Sequence, residues 1–402
     1  MKRTTIPLAG VAVIVVAALS VSLGPTAFAT NDPTFPSWAD VQQAQKNVAT
    51  KKAEVAKLTG LISTLQNQSA AAGKAALISG ENYLEAKNAL DAATATESKL
   101  DSQAAAASSR AAASSREAGQ LAAQLARQGN GNLTIDLLLN GRISSNLLDV
   151  LGTMNKLGET SERVFAQAEQ EHKIAAALSA QAAVAKTARA TAATAAANAL
   201  AAANADAATA AAKVKAQNAQ QSIMTAQLSS LTGTSQSVLD QYYAGVAWEA
   251  KQAAQKKPPA DDIPTGPLPG PPNTAAAATA IQFAEAQVGK PYLLGGYGPG
   301  AWDCSGLTKA AYAAAGVYIG THSSNGQFTT MQSENRLVPL SERQPGDLLW
   351  YSDGGSRSAS KYHVTLYIGN NEMIEAPYPG VNVRVAALRY GDLVPLAGRP
   401  TG

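Results

Sequence analysis

Apolar positions recur every seven residues near the start of the chain. Val41, Val48, Val55 and Ile62 form one series, with Ala44, Leu58 and Leu65 at the complementary positions and Lys51 the exception. A seven-residue step keeps one seam of a helix turned toward a partner, so the pattern predicts a coiled-coil helix starting at Trp38. Beyond Gly73 the register drifts, Leu77 and Leu84 restart the step, and helix formers continue to about Arg127. Gly129-Asn130-Gly131-Asn132 then interrupts the pattern. A second helical stretch runs from about Ser161 to Lys251 through an alanine-rich tract around 175–212. Alanine has the best helix propensity but supplies little area to bury. Two long helices joined by a break fold most simply as an antiparallel hairpin, each arm about 90 residues and roughly 135 Å long. A competing reading leaves part of the alanine tract without a fixed fold.

Between the arms lies the most apolar part of this region, Leu133 to Leu139 followed by Ile143, Leu147, Leu148, Val150, Leu151, Met154 and Leu157. It sits where the hairpin should turn, and reads either as a small cap packed on itself or as a docking surface for a membrane partner. Lys256-Lys257-Pro258-Pro259 to Pro271-Pro272 is a proline-rich, semi-rigid linker. From about Thr274 aromatics, glycines and alternating apolar residues appear, enough chain for one compact domain. The expected organisation is a leader over 1–29, a helical hairpin over 30–255 with its tip near 129–158, a linker over 256–274 and a compact domain over 275–402.

The chain opens with Lys2 and Arg3, an apolar run from Ile6 to Leu23, then Ala27-Phe28-Ala29. That is the pattern of a secretory signal peptide cleaved after Ala29, with a retained membrane anchor as the alternative. The expected location is therefore secreted and extracytoplasmic. The formal charge is +3, and losing Lys2 and Arg3 leaves +1, which gives no electrostatic case for nucleic acid or anionic membrane as the main partner.

Cys304 is the only cysteine. An exported chain with one thiol cannot form an internal disulfide, so Cys304 is either a small buried hydrophobe or a functional thiol. Asp303-Cys304-Ser305-Gly306 precedes Leu307 to Val317, a helix by its spacing, which puts Cys304 at a helix N-terminus. Free backbone N–H groups there favour thiolate and could stabilise a developing oxyanion. His363 begins an alternating strand, His363-Val364-Thr365-Leu366-Tyr367-Ile368-Gly369, whereas His172 falls on the helical stalk and His322 in a loop-like segment. His363 is the better candidate base. After Gly369-Asn370-Asn371 comes Met373-Ile374-Glu375-Ala376, a returning strand bearing one acid. A two-residue turn would put Glu375 opposite Leu366, facing away from His363. A three-residue or bulged turn puts it opposite Thr365, on the face of His363, where it can orient the imidazole. The bulged or three-residue turn is the one expected.

Gly289-Lys290-Pro291-Tyr292 with Gly295-Gly296, then Asp303-Cys304-Ser305-Gly306, then His363-Val364 with Tyr367-Ile368-Gly369 resembles the NlpC/p60 family of papain-like cell-wall peptidases. The resemblance covers roughly 280–398 and is specific in the combination and order of its motifs. It implies an α+β domain, a helix bundle packed on an antiparallel sheet. It also implies Cys304 as nucleophile, His363 as base and Glu375 as the third polar residue, at a position the family often fills with histidine. Tyr292, Asp303, Ser323 and Ser324 fall where the family lines its cleft, Tyr292 as a donor to the oxyanion and Asp303 toward a substrate amine. The implied reaction is hydrolysis of peptidoglycan stem peptides, commonly between D-isoglutamate and a diamino acid. A signal peptide and coiled-coil stalk before such a domain resemble secreted division hydrolases. In some of those the stalk docks on the membrane protein FtsX and restrains the catalytic domain.

No cofactor is expected, and no metal, since H-E-x-x-H and paired cysteines are absent from the sequence. An amidase using the same triad and a non-catalytic helical scaffold that binds wall peptide are the competing functions.

Overall fold

The computed structural model describes residues 37–129, 147–233, 236 and 268–402. The leader, most of the apolar tip and most of the proline-rich linker lie outside the described residues.

The stalk begins with a short helix α1, Trp38–Ala44, capped by the Ser37 side chain and the Asp40 carboxylate in a reciprocal pair. Contrary to the heptad reading, the first helix does not run on. The chain breaks at 45–47, Asn47 accepts from the Ala49 amide at 2.8 Å and starts a new helix, and Val48 is left 85% exposed. The heptad positions on either side still do their work. Val41, Ala44, Leu58 and Ile62 close with Met224, Leu228 and Leu231 into the apolar base of the hairpin.

Helix α2, Val48–Gly129, runs uninterrupted through Gly73 and Gly80, and α3, Leu147–Thr232, returns against it. The second arm therefore starts earlier than Ser161, because the apolar residues after Leu147 are helical. Cross-arm pairs fix an antiparallel register: Arg110 with Glu171, Glu97 with Arg189, Ser79 with Asp206, and Ser115 with His172. Between them Ala107, Ala111, Ala118, Ala182, Ala185, Ala196, Ala203 and Ala210 are buried. Small side chains let the two backbones approach, which is what the alanine tract is for.

The C-terminal domain is α+β. Helices α4 (Thr274–Glu285), α5 (Cys304–Ala314) and α6 (Ser324–Ser333) precede six strands: β1 (Leu337–Pro339), β2 (Leu348–Ser352), β3 (Lys361–Gly369), β4 (Glu372–Glu375), β5 (Arg384–Ala387) and β6 (Leu393–Gly398). They form one antiparallel sheet in the order β1-β6-β2-β3-β4-β5. Leu307, Ala311 and Tyr312 of α5 and Phe328 and Met331 of α6 share a core with Leu348, Trp350, Val364, Leu366, Ile374 and Leu396 of the sheet. Phe328 meets Trp350 edge to face at 5.3 Å.

One ion pair ties the chain's end into this core. Arg399 donates to both oxygens of Asp347, at 3.2 and 3.0 Å, with both residues buried. Replacing Arg399 with methionine strands a buried carboxylate. The domain is expected to lose about 3–5 kcal/mol, read as a lower urea midpoint, and an unchanged midpoint would contradict the pairing.

Candidate active site

The sequence Asp-Cys-Ser-Gly is a helix start built for close approach. Asp303 is the N-cap of α5, and its Oδ1 accepts from the Gly306 amide at 2.6 Å, so Cys304 is the first helical residue. Gly306 has no room for a Cβ, which would lie 2.1 Å from the Gly296 carbonyl oxygen and 2.9 Å from His322. Asp303 in turn donates its amide to that same Gly296 carbonyl at 3.0 Å. The Gly295-Gly296 turn and the helix are thus locked together behind the thiol.

The Cys304 sulfur lies 3.7 Å from Ser324 Oγ and within hydrogen-bonding reach of the Val364 amide, which follows His363 on β3. Helix α5 packs directly on β3. His363 sits opposite Tyr351 of β2, the two rings 5.6 Å apart, and is fully buried. Its Nε2 is 2.9 Å from Glu375 Oε2, while its Nδ1 is buried with no hydrogen-bond partner. The β3–β4 connection has the bulged form expected: Asn370 and Asn371 both have positive φ, and the register slips between Tyr367 and Gly369. Leu366 therefore pairs with Ile374, and Glu375 falls one step further on, opposite Thr365 and on the face of His363. Two consecutive left-handed residues are what a type I′ turn needs, and asparagine tolerates them.

The remaining candidates converge on the same cleft. Tyr292 bridges to Trp302, and its phenol is held protonated by burial and by the neighbouring Cys304 and Asp303, so it is an O–H donor beside the thiol. Ser323 is the N-cap of α6, accepting from Gly326 N at 2.8 Å. Asp303 has both oxygens engaged: each lies 2.9 Å from His322 Nε2, and Oδ1 also accepts from Ser305 and Gly306. His322, set aside in the sequence as a loop residue, is thus part of the site's framework. Its signal was its place just before Ser323-Ser324.

The stalk lies over this cleft. Glu81 of α2 is buried, and its carboxylate accepts from the Ser324 and Asn325 amides at the N-terminus of α6, both at 2.9 Å. Burial pushes its carboxyl up to about 8, the two amides and nearby Ser323 offsetting part of that cost. Leu77 joins the C-terminal core, and Leu84 is also buried. Gly73 and Gly80 let α2 lie flat: a Cβ on Gly73 would sit 2.6 Å from the Tyr378 ring, and one on Gly80 2.8 Å from Leu294. Lys74 reaches Asp353 at 2.7 Å and Asp392 at 2.9 Å, and Glu85 pairs with Asn325.

This cover explains the state of the thiol. A helix N-terminus alone favours thiolate, but here burial, with the charges of Asp303 and Glu81, pushes the Cys304 thiol far up, against the Val364 amide and Ser324. In this conformation Cys304 is a protonated thiol.

The model of the NlpC/P60 family matches residues 289–392. Peptidoglycan endopeptidase RipB of Mycobacterium tuberculosis is 30% identical over 194 residues, covering 44% of this chain and 76% of RipB. Peptidoglycan endopeptidase RipA of the same organism is 34% identical over 137 residues, covering 31% of this chain. That match spans 27% of RipA's own length. Among solved structures, that of the peptidoglycan hydrolase RipB from M. tuberculosis is 32% identical, covers 34% of this chain and 74% of that one, and has a TM-score of 0.27. The matched segment contains the thiol, the imidazole and the carboxylate whose geometry is described above, and on the extent of the match to RipB the chain belongs to the NlpC/P60 family.

Proposed function

We propose that the C-terminal domain is a cysteine endopeptidase acting on peptidoglycan stem peptides, at a bond of the D-isoglutamyl–diamino acid type, outside the cytoplasm. The observation that carries this reading is the division of labour at His363. Nε2 is held by Glu375, which leaves Nδ1, buried and unpartnered, as the nitrogen free to take a proton, and Cys304 lies beside the Val364 amide that follows His363 on β3. The peptidoglycan endopeptidase names of RipA and RipB support the substrate class.

In this mechanism Nδ1 removes the thiol proton and Cys304 Sγ bonds to the amide carbonyl carbon. The oxygen of the tetrahedral intermediate draws on the backbone N–H groups at the start of α5 and on the Tyr292 hydroxyl. The C–N bond breaks as the imidazolium returns its proton to the leaving amine, leaving a thioester. Water, deprotonated by the same Nδ1, displaces the sulfur, and the acid product and free thiol are regenerated. Ser323 and Ser324 line the acyl side of the cleft.

The reaction requires α2 to leave. With Glu81 on the Ser324 and Asn325 amides and Leu77 in the core, the chain as described is a closed form of the enzyme. A membrane-protein partner of FtsX type, engaging the apolar tip, is the opening agent in this reading.

A fragment starting at Thr274, incubated with purified muropeptides and followed by mass spectrometry, is expected to cut them and to identify the bond. It is expected to turn over faster than the full chain. An inert fragment would favour the scaffold reading, and release of an intact stem peptide from the sugar would favour the amidase.

A further inference from the structure

The Glu375 carboxylate is fully buried and holds more partners than an orienting residue needs. Oε1 accepts from Arg384 Nε at 3.1 Å and Nη2 at 2.9 Å, and from Arg389 Nη1 at 2.7 Å. Oε2 accepts from Arg389 Nη2 at 2.6 Å and meets His363 Nε2 at 2.9 Å. Arg389 therefore grips the carboxylate in a bidentate fork, and its guanidinium lies 5.0 Å over the Tyr351 ring. A lone carboxylate beside an imidazole favours imidazolium by supplying an opposite charge. Two guanidinium groups on that same carboxylate outweigh its single charge.

We propose that Arg384 and Arg389 are positioning residues that turn Glu375 from a counter-ion into a charge-compensated acceptor, fixing the His363 ring through Nε2–H while keeping the imidazole neutral and Nδ1 open to a proton. The inference rests on the reading of His363 as the base. The third member of the site then acts much as a neutral amide would: it orients, and it does not stabilise positive charge. An excess positive charge also opposes storage of a thiolate–imidazolium pair, so the proton moves only when substrate is attacked.

The groups against or charged toward His363 are Tyr351 from β2, Glu375 from β4, Arg384 from β5 and Arg389 from the segment after it, while Cys304 of α5 lies beside the next residue's amide, that of Val364. Burial holds the imidazole below its ordinary value; Glu375 opposes this, and the Arg389 and Arg384 charges reinforce it. Burial works against ionisation of Glu375, and the same two arginines overcome it, keeping the carboxyl well below the usual carboxylate range.

The chain has three histidines, so the full-length protein with ¹⁵N-labelled histidine gives a direct titration by NMR. Wild type is expected to show the Nε2–H tautomer at His363, neutral well into the acid range. Arg389→Met and Arg384→Gln are each expected to raise its midpoint by about one pH unit or more. Charge-keeping Arg384→Lys and Arg389→Lys are expected to titrate near wild type. Arg384 is 37% exposed, so its variants remain informative if Arg389→Met does not fold. A His363 midpoint unchanged in the neutral variants, or raised equally in the lysine variants, overturns the proposal. The titration needs no turnover. Hydrolysis by a Cys304→Ala chain would therefore overturn the peptidase reading and leave this result standing.

Discussion

Replacing Cys304 with alanine in the C-terminal fragment is expected to lower muropeptide cleavage by about 10⁴-fold or more, to the level of a binding site without a nucleophile. The change removes one sulfur at the start of α5, where the helix is held by the Asp303 cap and the Gly306–Gly296 approach, neither of which uses the thiol. Circular dichroism and the thermal midpoint should therefore match those of the parent fragment. Cleavage at the parental rate, in a preparation shown by mass spectrometry to carry alanine, would eliminate covalent catalysis by this residue. A loss of fold together with activity would leave the matter to Cys304→Ser, which keeps the shape of the side chain and is expected to be almost as slow.

The second large effect has the opposite sign. Replacing Gly73 with leucine in the full chain is expected to speed hydrolysis. A Cβ at this position would lie 2.6–2.8 Å from three atoms of the Tyr378 ring, close to the root of that side chain, where it cannot simply swing aside. Overpacking of this kind costs about 1–3 kcal/mol, or about 5- to 150-fold in the population with α2 lifted. Inside a helix, leucine is better than glycine by a few tenths of a kcal/mol or more, so the hairpin itself should become more stable. Faster cleavage with a higher helix melting temperature separates undocking from unfolding. Equal rates for Gly73→Leu and wild type, both slower than the fragment, would show that α2 does not hold the site through this contact.

What the sequence made readable was whatever rests on local periodicity. The heptads at Val41, Leu58 and Ile62 found the base of the hairpin, and the alternation around His363 found its strand. Strand register even narrows the turn at Asn370-Asn371, because a three-residue or bulged turn is needed to put Glu375 on the face of His363, and the structure has the bulge. Contacts made across the fold left no such trace. Gly73 marks only a drift in register and Gly80 nothing at all, since their purpose is set by Tyr378 and Leu294, hundreds of residues away. Nothing in the local sequence marks Glu81 among the other acids of the predicted helix. Arg384 and Arg389 are of a residue type usually solvated, and the carboxylate that binds them is itself positioned by the sheet. The state of Cys304 is divided in the same way: its helix position, which favours thiolate, is visible in the sequence, but the helix lying over it, whose burial pushes the thiol up, is not.

Because the occupant of the cleft is part of the same chain, its local concentration does not fall when the protein is diluted. A wall peptide arriving by diffusion competes poorly against a rival that is always present. Raising substrate is therefore a weak way to start the enzyme, whereas tilting a rigid rod is a strong one. Roughly 70 Å of helix separates Glu81 from the end of α2 at Gly129. A modest displacement at that far end turns the near end through only a few degrees, with the mechanical advantage of a long lever acting on a short lock.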